Sequence, residues 1–115
     1  MAVAYDSQAS VLGFAATSLT TPSFTIDAGA IGNRAALLTH IRSGNTISGI
    51  TGSCGGATAS AITGADTGTG NAEGRAFCWG ATAPAAGSQT ATMAWTTAVD
   101  CLLGVVVGTG VHQTT

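Results

Sequence analysis

The run Arg75–Val111, RAFCWGATAPAAGSQTATMAWTTAVDCLLGVVVGTGV, decides how the chain is read. Arg75–Ala83 is rich in aromatic and small residues and stops at Pro84, which has no N–H to give to a sheet ladder. Pro84-Ala85-Ala86-Gly87 is a turn, in which Pro fixes one dihedral and Gly is free to take positive φ. Ser88–Thr97 then alternates. Gln89, Ala91, Met93 and Trp95 fall on one face, and Thr90, Thr92, Ala94 and Thr96 on the other, the two-residue period of a strand. The Met93 and Trp95 face is expected to be buried and the threonine face wet. Val99–Val107 is nearly continuous in apolar residues, as in a strand covered on both faces. Three successive antiparallel strands, a β-meander forming half of a sandwich, are expected here.

Upstream the same punctuation continues. Ala2–Asp6 (AVAYD) predicts a short strand with Val3 and Tyr5 on one face, and Ser7–Ala16 reads as a loop. Phe24 and Ile26 point inward from a segment that Pro22 assigns to an edge or a bulge. Arg34–Arg42 suits a helix by propensity, yet Leu37, Thr39 and Ile41 alternate with Leu38, His40 and Arg42, so a strand is expected. Thr46–Thr51 is a β-branched strand closed by the turn Gly52–Gly56, Thr58–Thr63 a weaker one, and Gly64–Gly74 a polar, glycine-rich loop. The expected fold is all-β: one antiparallel, jelly-roll-like β-sandwich domain over residues 1–115, built from about eight short strands. Its core should hold Phe24, Ile26, Leu37, Ile41, Ile50, Phe77, Met93, Trp95, Leu103 and Val105.

Composition narrows the function. Charged residues make up 7% of the chain, there is no lysine, and the net charge is −2. A surface so poor in charge points to a chain that works inside an assembly. Three arginines cannot build the basic stripe that nucleic acid requires. The longest apolar run, Ala98–Val107, contains Asp100 and is too short to span a bilayer; the amino terminus lacks the basic flank of a signal peptide. Cys54, Cys78 and Cys101 are odd in number, include no C-x-x-C pair, and are expected to stay free in a reducing cytoplasm.

Residues that could carry chemistry are few. His40 and His112 are far apart in the sequence, and no Ser or Thr stands beside an activating base, so neither a catalytic set nor a metal site is expected. Asp66–Glu73 spaces oxygen donors as calcium likes them but lacks further carboxylates, and a solvated turn is the simpler reading. Asp66, Asn71 and Glu73 are candidates for a partner-facing loop. Trp79 and Trp95 could stack on a sugar ring, although tryptophan in a small β domain is more often core.

Two stretches, APAAGSQTATMAW (Ala83–Trp95) and VVVGTGVHQTT (Val105–Thr115), resemble a β-sandwich domain of tailed-bacteriophage virion structural proteins and some bacterial surface proteins. In that family an APPAG turn leads into an alternating Thr/Val strand, and a GV-Q-T segment follows an apolar strand. AVAYD and the Gly55-Gly56 pair are similar as well, while Ala85 stands where a second proline is usual and Cys54 where an aromatic often precedes the glycines. Family members often continue past the Gln-Thr-Thr segment, so an open strand edge is expected, with a partner subunit covering that edge and the apolar residues near Val105–Val107.

The resemblance implies a structural role with no cofactor and no catalytic residues to carry over. The expectation is a capsid decoration or cement protein that stabilises the head shell. It would be made in the host cytoplasm and held in the virion by the major capsid protein or another virion protein. It would act as a homo-oligomer, a trimer by analogy with three-fold positions between capsomers. The alternative is a tail-fibre or surface module that binds host glycans through Trp79 or Trp95 and the Gly64–Gly74 loop.

Overall fold

A computed structural model describes residues 4–28, 34–42, 47–66 and 75–109. Nine strands follow one another: β1 (Ala4–Thr20), β2 (Phe24–Ile26), β3 (Ala35–Arg42), β4 (Thr51–Cys54), β5 (Ala57–Thr58), β6 (Ser60–Asp66), β7 (Arg75–Thr82), β8 (Gly87–Gln89) and β9 (Ala91–Thr109). The antiparallel, all-β sandwich class expected from the sequence is the one observed, but two of its strands are long, at 17 and 19 residues. Seven strands form one sheet in the order β5-β4-β9-β3-β7-β6, with β1 also paired to β9, and β2 and β8 form a small second sheet.

Strand β9 organises the molecule. Its first part, Ala91–Ala94, pairs with β4, its second part, Cys101–Gly108, pairs with β3, and β1 lines its other side. Between Ala94 and Val99 the register to β1 slips, from Ser18↔Ala94 to Ala16↔Val99. Extra residues on one strand of a pair bend it, so β1 and β9 turn a corner together. Ala15 takes a positive φ of 49° at this corner, and its N–H donates to Asp100 Oδ1 over 2.8 Å. The β4–β5 part of the sheet thereby folds back until it touches β7, with which it shares no ladder. Cys54, Ala59, Ala91 and Met93 from one side meet Leu38, Phe77, Leu103 and Val105 from the other, and Phe24 and Ile26 join the same core.

Several sequence expectations are corrected. The meander is not formed: Ser88–Thr97 and Val99–Val107 lie largely in the single strand β9, and β3 separates it from β7. No Gly or Pro stands between Trp95 and Val99 to reverse the chain, and the odd-numbered positions keep to the inward side across the junction, Trp95 and Val99 buried and Thr97 half-buried. Ser7–Ala16 is strand rather than loop, because β9 supplies its ladder and its inward face, in part small residues such as Ser7, Ala9 and Gly13 that hydropathy does not mark, turns to the core. In place of Thr46–Thr51 the strand is Thr51–Cys54, with Ile47 buried just before it.

Strand β3 presents the opposite face to the one expected. Leu38, His40 and Arg42 are buried, while Leu37 and Ile41 are exposed. Seven of the ten expected core residues are buried; Ile50 is half-buried, and Leu37 and Ile41 are the two exposed ones. Tyr5 is exposed, and Val3 lies outside the described residues.

The turn at Pro84 seats on the β4–β5 turn. Ala85 N–H donates to Gly55 O (2.9 Å), and the fully buried Arg34 donates from Nη2 to Pro84 O (2.8 Å) and from Nη1 to Asp27 O. Gly55 has φ +56°, and a Cβ there would meet Ala85 N at 2.9 Å and Pro84 Cβ at 3.1 Å. Its neighbour Gly56 has φ +76° but open space around it. Gly55→Ala should therefore destabilise by about 2 kcal/mol or more, and Gly56→Ala by about 1, the left-handed backbone alone. Equal shifts of the two urea midpoints would refute this reading of the turn.

Candidate interaction surface

Even-numbered residues of the second part of β9 point away from the core, and pairing carries that face across four strands. Leu12, Leu102, Ile41 and Ala76 form one row through β1, β9, β3 and β7. Ser10, Gly104, Thr39 and Cys78 form the next, and Gln8, Val106, Leu37 and Gly80 the third. None of these twelve residues is charged. Leu12 is 64% exposed, Ile41 48%, Val106 45% and Leu37 42%. Beyond the first row Phe14 stands 80% exposed at the corner. Gly104 leaves the middle of the face low, since a Cβ there would touch nothing within 4 Å.

The continuous apolar run Val99–Val107 thus has one face on the core, Val99, Cys101, Leu103, Val105 and Val107, and one turned outward. Cover on both faces was the expectation, and among the described residues only one face has it. Val105 and Val107 are already buried in the core, between β1 and β3, so of the residues near Val105–Val107 expected under a partner only Val106 is exposed.

The opposite, inward face holds a buried aromatic box. His40 stacks on Phe77, with ring centroids 4.9 Å apart and planes 18° from parallel, and meets Trp95 edge-on at 4.6 Å. Neither His40 ring nitrogen has a hydrogen-bond partner. Burial, and secondarily the Arg42 charge, pull its pKa from 6.5 down to about 4, so the ring is neutral at pH 7. A neutral imidazole between two aromatic rings behaves as a third ring, which explains how a histidine fills a core position.

The residues singled out from the sequence do not come together. Trp95 is buried and its Nε1–H donates to Ala16 O (3.0 Å), which removes the ring from any sugar. Trp79 is half-buried on the inward face, 6.3 Å from the Phe77 ring. Of the candidate loop, Asp66 ends β6, while Asn71 and Glu73, like His112, lie outside the described residues. Among the described residues no group of three His, Cys, Asp or Glu is placed to hold a metal ion, and no helix is long and apolar enough to cross a membrane. Arg34 and Arg42 are buried, so neither offers its charge to an outside anion.

The thiols are all unpaired. Burial pushes Cys54 up to about 11, and burial followed by the Asp100 charge raises Cys101, so both favour the unreactive thiol form. Cys78 sits in the middle row of the outward face, 3.6 Å from Thr39 Oγ1.

The outward face is the feature that sequence reading missed. Its signal was present in the nearly continuous apolar run of β9, which past Asp100 leaves both faces of the strand without charge. No family model, no curated protein and no solved structure matches the chain.

Proposed function

We propose that this protein is a structural component of a phage virion, a capsid decoration or cement protein whose outward sheet face seats on the major capsid protein or another virion protein. The observation that carries the reading is that face: three rows across four strands with no charge, with Leu12 in the first row and Phe14 beyond it in the open. Exposed apolar surface of this kind marks an interaction site. The resemblance of Ala83–Trp95 and Val105–Thr115 to virion β-sandwich domains gives the partner its class. A decoration protein needs a stable scaffold and a contact surface, and the core and the outward face supply these two parts.

The test is mass spectrometry of purified particles, together with binding of the isolated protein to undecorated shells. High copy number in particles is expected, and Ile41→Lys, which places a charge in the face without touching the core, should abolish shell binding. Absence from particles would end the proposal. The glycan-binding alternative is weakened by the burial of Trp95, and a glycan array on the wild-type protein, expected to be blank, separates the two.

A further inference from the structure

Strand β1 has β9 as its only ladder partner among the described residues, and its other side carries no ladder among them. We infer that two copies of this chain join through that edge, β1 against β1 in antiparallel fashion about a two-fold axis, to give one continuous sheet.

Three observations select this edge and this occupant. The other sheet ends are poorer templates: β5 is two residues long, and the pairing of β6 slips between Ala61 and Asp66. By contrast Ser7–Gly13 pairs with β9 without a break, between the register shifts on either side. Such a regular edge is a ready template for another strand unless lysine, proline or inward charge blunts it. Ser7–Gly13 has none of these, and the nearest charge, Asp6, accepts the Asp27 N–H at 3.1 Å.

Self-pairing also suits the residues. Ser7–Gly13 reads SQASVLG, so no like charges meet in any register centred within it, and serine, alanine and glycine let the backbones approach. Using the same edge twice closes the contact at two chains. The trimer expected from the sequence would instead set β1 of one copy on a different edge, such as the slipped β6 of the next, a head-to-tail contact that must also close into a ring.

Area gives the pair a purpose. Four strands by three rows span about 400 Å² on one copy. A stable interface takes about 800 Å² from each partner. One copy falls short, and two copies joined at β1 bring their outward faces side by side and reach it. This step rests on the reading of the chain as an assembly component, but it is measured apart from it, since absence from particles leaves the mass in solution unchanged.

The test is sedimentation of the full chain, with Gln8→Lys/Ser10→Lys as the edge variant and Ile41→Lys as the face control. Both edge residues are exposed, so the variant keeps the core. Wild type and I41K should sediment at twice the 11.1 kDa chain mass. Like charges facing each other across the axis should weaken the pair about 100-fold in Q8K/S10K. Amide exchange of Ser7–Gly13 in the wild type should speed up on dilution. A wild-type monomer, a three-chain species, an edge variant that pairs as tightly as wild type, or exchange independent of concentration would each overturn the inference.

Discussion

Trp95→Ala should lower stability by about 3–5 kcal/mol, the range for truncating a buried aromatic ring. The side chain is buried, its edge packs on His40 at 4.6 Å, and its Nε1–H ties the bent part of β1 to β9 through Ala16 O. Removal leaves a cavity beside a histidine that has no other polar partner to turn to. Trp95→Phe keeps most of the ring and loses the hydrogen bond, for which about 1 kcal/mol is expected beyond the smaller packing loss. Urea denaturation followed by circular dichroism measures both. An unchanged midpoint for Trp95→Ala would mean that the ring contributes nothing to the core.

The second large effect is on pH. In the unfolded chain His40 takes up a proton near its ordinary value of 6.5, whereas in the fold it resists until about 4. A lowered histidine pKa means that the unfolded state binds more protons, so stability is full above pH 6.5 and falls as pH drops from there to about 4. The whole loss is about 3 kcal/mol at 1.36 kcal/mol per pKa unit. Arg42, on the same strand, adds repulsion once the imidazole is protonated. His40→Phe preserves the stacked ring and should flatten the urea midpoint across that window. A slope as steep in the variant as in the wild type would place the titration elsewhere.

What was legible in the sequence was local. Met93 and Trp95 alternate with threonines, Phe24 and Ile26 straddle Thr25, and both pairs are buried. Strand β3 shows where such reading stops. Hydropathy places Leu37 and Ile41 inside because His40 and Arg42 alternate with them, yet the face that turns inward is set by pairing with β7 and β9. Once His40 is neutral and wedged between rings, the polar label no longer predicts its place. The outward face was hidden for a related reason. Its rows combine residues near positions 12, 41, 76 and 102, and only the ladder register brings them level. The run Val99–Val107 announced two apolar faces without saying which of them the core would take and which would stay exposed.

The central place of β9 has a consequence for how the protein is made. Strands β1, β3 and β4 all depend on a segment that is the last described strand to leave the ribosome. Until β9 begins at Ala91, β1 has no ladder partner among the described residues, and the contacts that define the sheet span most of the chain. Pairing of such distant segments is slow, and the waiting strands expose edges and apolar side chains meanwhile. Formation of the sheet therefore waits for β9, and a nascent chain stalled before Ala91 carries the template without the strand that would occupy it.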